Sequence, residues 1–242
     1  NSDCMFVSIS FRVVHTDSKE NRIDEMKGAR KIKDLLYEQV ARIGKVFSSP
    51  KRLELIELLC QGEKTVETLA REASISVKLT SAHLRELRMA QLVETERQGK
   101  NIYYRLADKS VANLWVQIHM LAEERLVELQ LALQKFVTQP NDLIPSDRDS
   151  LLKAARKGEV VVLDVRPSEE YLNAHLPFAR SIPLDELRQR LAELPKDRSI
   201  VAYCRGPYCL MAADAVVLLK QEGFTAIHLR DGVAEWEIAV TR

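Results

Sequence analysis

Two apolar rhythms divide the 242-residue chain. Between positions 32 and 47, Leu35, Leu36, Val40, Ile43, Val46 and Phe47 recur at the three-to-four-residue spacing of an amphipathic helix. The same logic predicts helices over 50–60, 65–72 and 76–90. Each break carries its own signal. Ser48-Ser49-Pro50 opens the second helix, Gly62 follows it, and Thr65 and Ser74 or Ser76 are N-cap candidates. The rhythm then shortens: residues 92–97 and 102–106 read as two strands around Gln98-Gly99-Lys100-Asn101, a hairpin. A long helix is predicted from Ser110 to Val137, with an apolar stripe through Val111, Leu114, Trp115, Ile118, Leu121 and Leu126. Past Thr138-Gln139-Pro140-Asn141-Asp142, which reads as a breaker, short apolar runs at 160–163 and 200–203 alternate with helical stretches at 168–171 and 210–220. That is the pattern of buried parallel strands with helical crossovers.

These elements predict two domains. Residues 31–137 form a mainly α winged helix-turn-helix with a β-hairpin wing, residues 138–142 a linker, and residues 143–242 an α/β doubly wound domain. Residues 1–30 are read as a tail: positions 1–25 show no helix period, and Met26-Lys27-Gly28 is a natural start just before the first helix.

The chemistry concentrates at Cys204-Arg205-Gly206-Pro207-Tyr208-Cys209, between a strand and a helix. Loop amides and a helix N-terminus converge there, which favours a thiolate or a bound oxyanion over a neutral thiol at Cys204. Cys209 lies five residues on, where it can act as a resolving thiol. The bland alternative is a pair of small buried hydrophobes. Upstream, the run Val160 to Arg166 ends in an acid and a base, Asp164 and Arg166.

With Ala174-His175-Leu176-Pro177, Ile182-Pro183-Leu184 and Asp231-Gly232-Val233-Ala234-Glu235-Trp236, this half resembles the rhodanese family over residues 143–240. The resemblance implies that Cys204 accepts sulfane sulfur as a persulfide, that Arg205 and the loop amides hold an anionic donor such as polysulfide or thiosulfate, and that Asp164 and Arg166 brace the loop. The chain departs from the family in having Tyr208 and Cys209 where many sulfurtransferases carry a second basic residue, which weakens the expectation of rapid thiosulfate turnover. It also has Ala174 and Asp231 at positions where the family usually has glycine. Phosphatase and arsenate reductase chemistry would need an arginine at position 210, which is leucine.

The first half resembles the ArsR/SmtB family of dimeric bacterial repressors over residues 32–135, carried by Phe47-Ser48-Ser49-Pro50-Lys51-Arg52-Leu53, by Ser81-Ala82-His83-Leu84-Arg85-Glu86-Leu87 and by the wing. That implies a homodimer on a double-stranded DNA operator. Ser76, Lys78, Thr80, Ser81, His83 and Arg85 then become DNA-contact candidates on the recognition helix, and Arg97 and Lys100 on the wing. Residues 31–110 hold 15 Lys or Arg against 11 Asp or Glu, whereas residues 141–242 hold 14 against 16. The positive balance sits in the half expected to read DNA, though by itself it is an ordinary surface.

No metal and no cofactor are expected. The segment 65–70 has no cysteine, and His119 with Glu123 and Glu124 is too small a ligand set for a thiophilic metal. Cys60 reads as a core residue. Four cysteines, two in one loop, and the absence of a membrane-length apolar run or a secretory leader point to a cytoplasmic protein without membrane contact. The function expected is a repressor whose rhodanese domain senses or carries sulfane sulfur. The alternative is a sulfurtransferase enzyme that carries its own regulator.

Overall fold

The computed structural model describes residues 19–136 and 148–240. The first helix, α1 (Lys19–Phe47), begins well inside the stretch read as a tail. Up to Lys45 it is a unit apart, and Val46 onward forms the second. On α1 the large apolar side chains Ile32, Leu35, Leu36, Tyr37 and Val40 are exposed.

The winged-helix half comprises α2 (Pro50–Cys60), β1 (Lys64–Thr65), α3 (Val66–Glu72), α4 (Val77–Met89), β2 (Val93–Gln98), β3 (Asn101–Leu106), α5 (Lys109–Arg125) and α6 (Val127–Phe136). Leu55, Ile56 and Leu59 of α2, Leu69 of α3, Leu84 and Leu87 of α4 and Trp115 of α5 supply its core. The turn between α3 and α4 is a Schellman closure: Ser74 takes φ 52°, its N–H donates to Arg71 O and the Ile75 N–H donates to Ala70 O. Ser74 therefore ends one helix, and Ser76 caps the next. The three-stranded antiparallel sheet runs β1-β3-β2, with Gln98 opposite Asn101 across a two-residue turn whose Gly99 takes φ 63°.

The predicted single helix over 110–137 is two. Leu126 is extended (φ −105°, ψ 106°), and α6 starts beyond it. No glycine or proline marks the break. The Gln130 side chain closes it by donating to the carbonyls of Glu123 (2.7 Å) and Glu124 (3.4 Å), which the missing turn would otherwise strand. The linker 138–142 lies outside the described residues.

The second half contains α7 (Arg148–Arg156), β4 (Val160–Asp164), α8 (Ser168–Asn173), β5 (Arg180–Ser181), α9 (Leu184–Leu187), β6 (Ser199–Tyr203), α10 (Met211–Gln221), β7 (Ala226–His228) and α11 (Val233–Val240). The sheet is parallel in the order β5-β4-β6-β7. Alternate strand residues feed two cores: Val161, Leu163, Ile200 and Ala202 face one, while Val162, Val201 and Tyr203 face the other. This is the doubly wound arrangement expected, and its ligand position is the carboxyl edge of the central strands. Cys204 leaves β6 at that edge. Among the described residues, no helix is long and apolar enough to cross a membrane.

Candidate functional site

On α4 the Ser76 hydroxyl caps the helix, accepting from the Leu79 N–H at 3.2 Å. Lys78, Ser81 and Arg85 are exposed and share one face by their spacing of three and four. Thr80 does not join them. It is fully buried and its hydroxyl donates to Ser76 O at 3.0 Å, because position 80 falls on the same face as Leu84 and Leu87. His83 is half-buried on the flank of that face. Burial and then the Arg52 charge push its pKa down. Arg97 and Lys100 are exposed on the wing, and Arg97 Nε donates to Gly99 O at 3.2 Å.

The thiol loop is compressed by close backbone approaches. Gly206 takes φ 148° against the Glu235 carboxylate, and a Cβ on Gly232 would overlap the Arg205 carbonyl. Cys204 is 1% exposed, and its thiol donates to Cys209 O at 3.3 Å. Both cysteines are free thiols. The expectation of a thiolate at Cys204 is corrected here. Burial, then the Cys209 neighbour, push Cys204 well above the ordinary thiol range. Cys209 is instead pushed down to about 6, first by the Cys204 hydrogen bond and then, against burial, by the N–H groups of Arg205 and Met211.

Asp164 and Arg166 lie 0% and 1% exposed and form a closed pair, with Arg166 Nη2 at 2.6 Å and Nε at 3.0 Å from the carboxylate. The Tyr203 hydroxyl donates to Asp164 Oδ2 at 2.5 Å, so the brace acts on the residue immediately before Cys204. Arg166 also reaches into the other half of the protein, donating through Nη1 to Gln61 Oε1 at 2.8 Å. Its burial opposes its charge, but the Asp164 bonds outweigh that and raise its pKa.

Arg205, assigned from the resemblance to an anionic donor, is already engaged. It is 13% exposed as a side chain. Nε lies 3.1 Å from both oxygens of Glu170, while Nη2 lies 2.6 Å from Glu170 and 2.8 Å from Glu72 at the end of α3. Lys64 Nζ completes the cluster, 2.8 Å from Glu170 and 3.5 Å from Glu72. Burial works against ionised Glu170, yet Arg205 and Lys64 overcome it and hold the carboxyl below its ordinary range.

On the other side of the loop, Tyr208 packs edge-on against Trp115 and His119, with centroids 6.1 and 5.6 Å apart. The His119 ring lies 3.2 Å from Glu235 and 3.4 Å from Glu123, which also pairs with Arg230. Among the described residues no group of three or more His, Cys, Asp or Glu is placed to hold a metal ion. Cys60, at the end of α2, is half-buried and its thiol is pushed up by burial first and by Glu235 and Glu57 next.

Glu57 faces the same region, and burial, then the negative charges of Cys209 and Glu235, raise its carboxyl to about 7. The folded state holds this proton more tightly than the unfolded chain, where the value is 4.5. Ionisation therefore opposes folding: no penalty exists below the unfolded value, and it grows as pH rises to the folded one. Glu57→Gln is expected to stabilise the protein at pH 8 by about 1–3 kcal/mol and hardly at all at pH 4.5. Thermal unfolding at both pH values checks this; equal gains at the two would sink it.

The sequence reading does not single out Gln61, Lys64, Glu72, Glu170, Glu235 or Glu57, and it weighs His119 only as a metal ligand. Gln61 to Glu72 stand more than a hundred positions from their partners, as with Gln61 and Arg166 or Glu72 and Arg205. The adjacency of Glu170 to the Asp164-to-Arg166 motif was the one available signal.

Comparison with known proteins follows the same division. Residues 49–95 match the family model for bacterial regulatory proteins of the arsR family, and residues 147–239 match that for the rhodanese-like domain. The HTH-type transcriptional regulator Rv0324 of Mycobacterium tuberculosis is 42% identical over 214 residues, 88% of this chain and 94% of its own. A sulfurtransferase of Allochromatium vinosum is 32% identical over 37% of this chain and 84% of its own. The solution structure of a homodimeric winged helix-turn-helix DNA-binding domain from Mycobacterium bovis is 38% identical, with a TM-score of 0.38 over 40% of this chain and 89% of that one.

Proposed function

Because the chain belongs to the ArsR family of bacterial transcriptional regulators and carries a rhodanese-like domain behind its DNA-reading half, we propose that it represses transcription as a homodimer on double-stranded DNA and that sulfane sulfur, taken up on Cys204, relieves the repression. The observation that carries this reading is the docking of the two-thiol loop on the domain that bears the recognition helix, through the Arg205 guanidinium to Glu72 and through the Arg205 carbonyl, which accepts from Gln61 Nε2. The exposed Lys78, Ser81 and Arg85 of α4, with the Ser76 cap and wing residues Arg97 and Lys100, supply a groove-facing set. Thr80 is left out of it, and His83 stands beside it. The homodimer is supported by exposed apolar side chains on single-chain helices: Leu35, Leu36 and Val40 on α1, Met120 and Leu121 on α5, and Val127 and Leu131 on α6.

In the loading step the Cys204 sulfur attacks the outer sulfur of a polysulfide or thiosulfate as its proton passes to the Cys209 thiolate. An S–S bond forms on Cys204 and the donor's own S–S bond breaks. Its electron pair leaves with the shortened polysulfide, or with sulfite when the donor is thiosulfate. Cys209 can then attack the persulfide, giving a Cys204–Cys209 disulfide and expelling hydrosulfide. Enzymatic turnover is the weaker alternative, since the loop carries Tyr208 and Cys209 where a second basic residue would help hold the donor.

The test is operator binding with and without polysulfide. The wild type is expected to lose affinity about tenfold or more on loading, and Cys204→Ser to be indifferent. Identical responses of the two proteins would remove the sensor reading, and brisk thiocyanate formation from thiosulfate and cyanide would favour the enzyme.

A further inference from the structure

We propose that Lys64 of the DNA-reading half and Arg205 of the thiol loop together form the subsite for an anionic sulfur donor, and that Glu72 now fills it as an internal stand-in. The inference rests on the reading that the loop accepts sulfur.

Two cations and two carboxylates make up this cluster. Lys64 and Arg205 both contact Glu170 and both contact Glu72, so the two carboxylates are held between the same two positive groups. The carboxylates differ in what fixes them. Glu170 is 2% exposed and lies on α8 within the rhodanese-like half, accepting from Arg205 through both oxygens and from Lys64. Glu72 belongs to the other half and lies 2.8 Å from Arg205 and 3.5 Å from Lys64. It is the member that can leave without opening the rhodanese-like core.

The cluster is balanced as it stands. A thiosulfate or polysulfide anion entering beside Arg205 would add negative charge to a half-enclosed site, where like charges are costly. Exchange for Glu72 restores the balance and leaves the anion held by the same two cations, one of which, Arg205, directly follows Cys204 in the loop. Glu72 is also the last residue of α3, four positions before the Ser76 cap of the recognition helix. Displacing it releases the segment that leads into the DNA-reading turn. By linkage, DNA that favours the docked arrangement then opposes donor binding by the same factor.

The experiment follows modification of Cys204 in the full-length protein by mass spectrometry, using thiosulfate as the anionic donor, which leaves a persulfide and releases sulfite, and an uncharged organic trisulfide as the neutral one, which leaves a mixed di- or trisulfide and releases a perthiol or thiol. Glu72→Gln is expected to raise the thiosulfate rate about tenfold relative to the trisulfide rate, and Lys64→Gln to lower that ratio by a similar factor, the scale of one charge-assisted hydrogen bond. Taking the ratio within each variant removes any general effect of loosened folding. If both variants keep the wild-type ratio, the subsite is overturned while sulfur loading stands. If Glu72→Gln accelerates both donors equally, Glu72 is a lid and not a competitor, and the subsite is again overturned. Should neither donor modify wild-type Cys204, the loading reading itself fails and the subsite fails with it.

Discussion

Asp164→Ala is expected to destabilise the rhodanese-like half by about 3–5 kcal/mol, the range found when one partner of a buried ion pair is removed. The cost comes from what stays behind. Arg166 is 1% exposed and would keep its charge with Gln61 and the Ala174 carbonyl as remaining partners. The Tyr203 hydroxyl would lose its acceptor at the same time. Asp164→Asn should fall between alanine and wild type, because it keeps one acceptor oxygen while losing the charge and the second acceptor. Because Tyr203 immediately precedes Cys204, the same substitution is expected to loosen the thiol loop. Thermal unfolding followed by circular dichroism measures the first effect, and a loss below about 1 kcal/mol would show that solvent reaches Arg166 and compensates it.

Gly232→Ala carries the second large effect. The added methyl would meet main-chain atoms, the Arg205 carbonyl and the Gly206 nitrogen, which unlike a side-chain end cannot swing away. The loop between Cys204 and Cys209 must therefore move, at about 3 kcal/mol, the upper part of the usual overpacking range. Its displacement should expose a thiol that is 1% exposed in the native loop. Alkylation of Cys204 at neutral pH is expected to accelerate about tenfold or more, since close packing is what now shields it. An alkylation rate equal to wild type in a folded Gly232→Ala protein would mean that the α11 entry turn had moved and the loop had not.

Local pattern carried the element plan because caps, turns and strand runs are short-range properties. Pro50, Thr65, Ser76 and Gly99 each sit where their own backbone chemistry puts them. The break at Leu126 is also local, closed by the Gln130 side chain four positions on, but no glycine or proline at the break announces it. Thr80 shows the limit of reading contacts from a motif. Its place in the recognition helix is right, and its rotation about the helix axis turns it inward.

The order of the apolar rhythms and the thiol loop at a strand's carboxyl edge were determined by sequence alone, because each depends on neighbours within a few positions. Only the tertiary structure decided how far the Cys204 thiol is held back from ionising and where the Arg205 guanidinium is spent. The first turns on burial of Cys204, and the second on Glu72, 133 positions away, being brought within 2.8 Å. Electrostatics acts through space, and the chain order does not record which charges become neighbours.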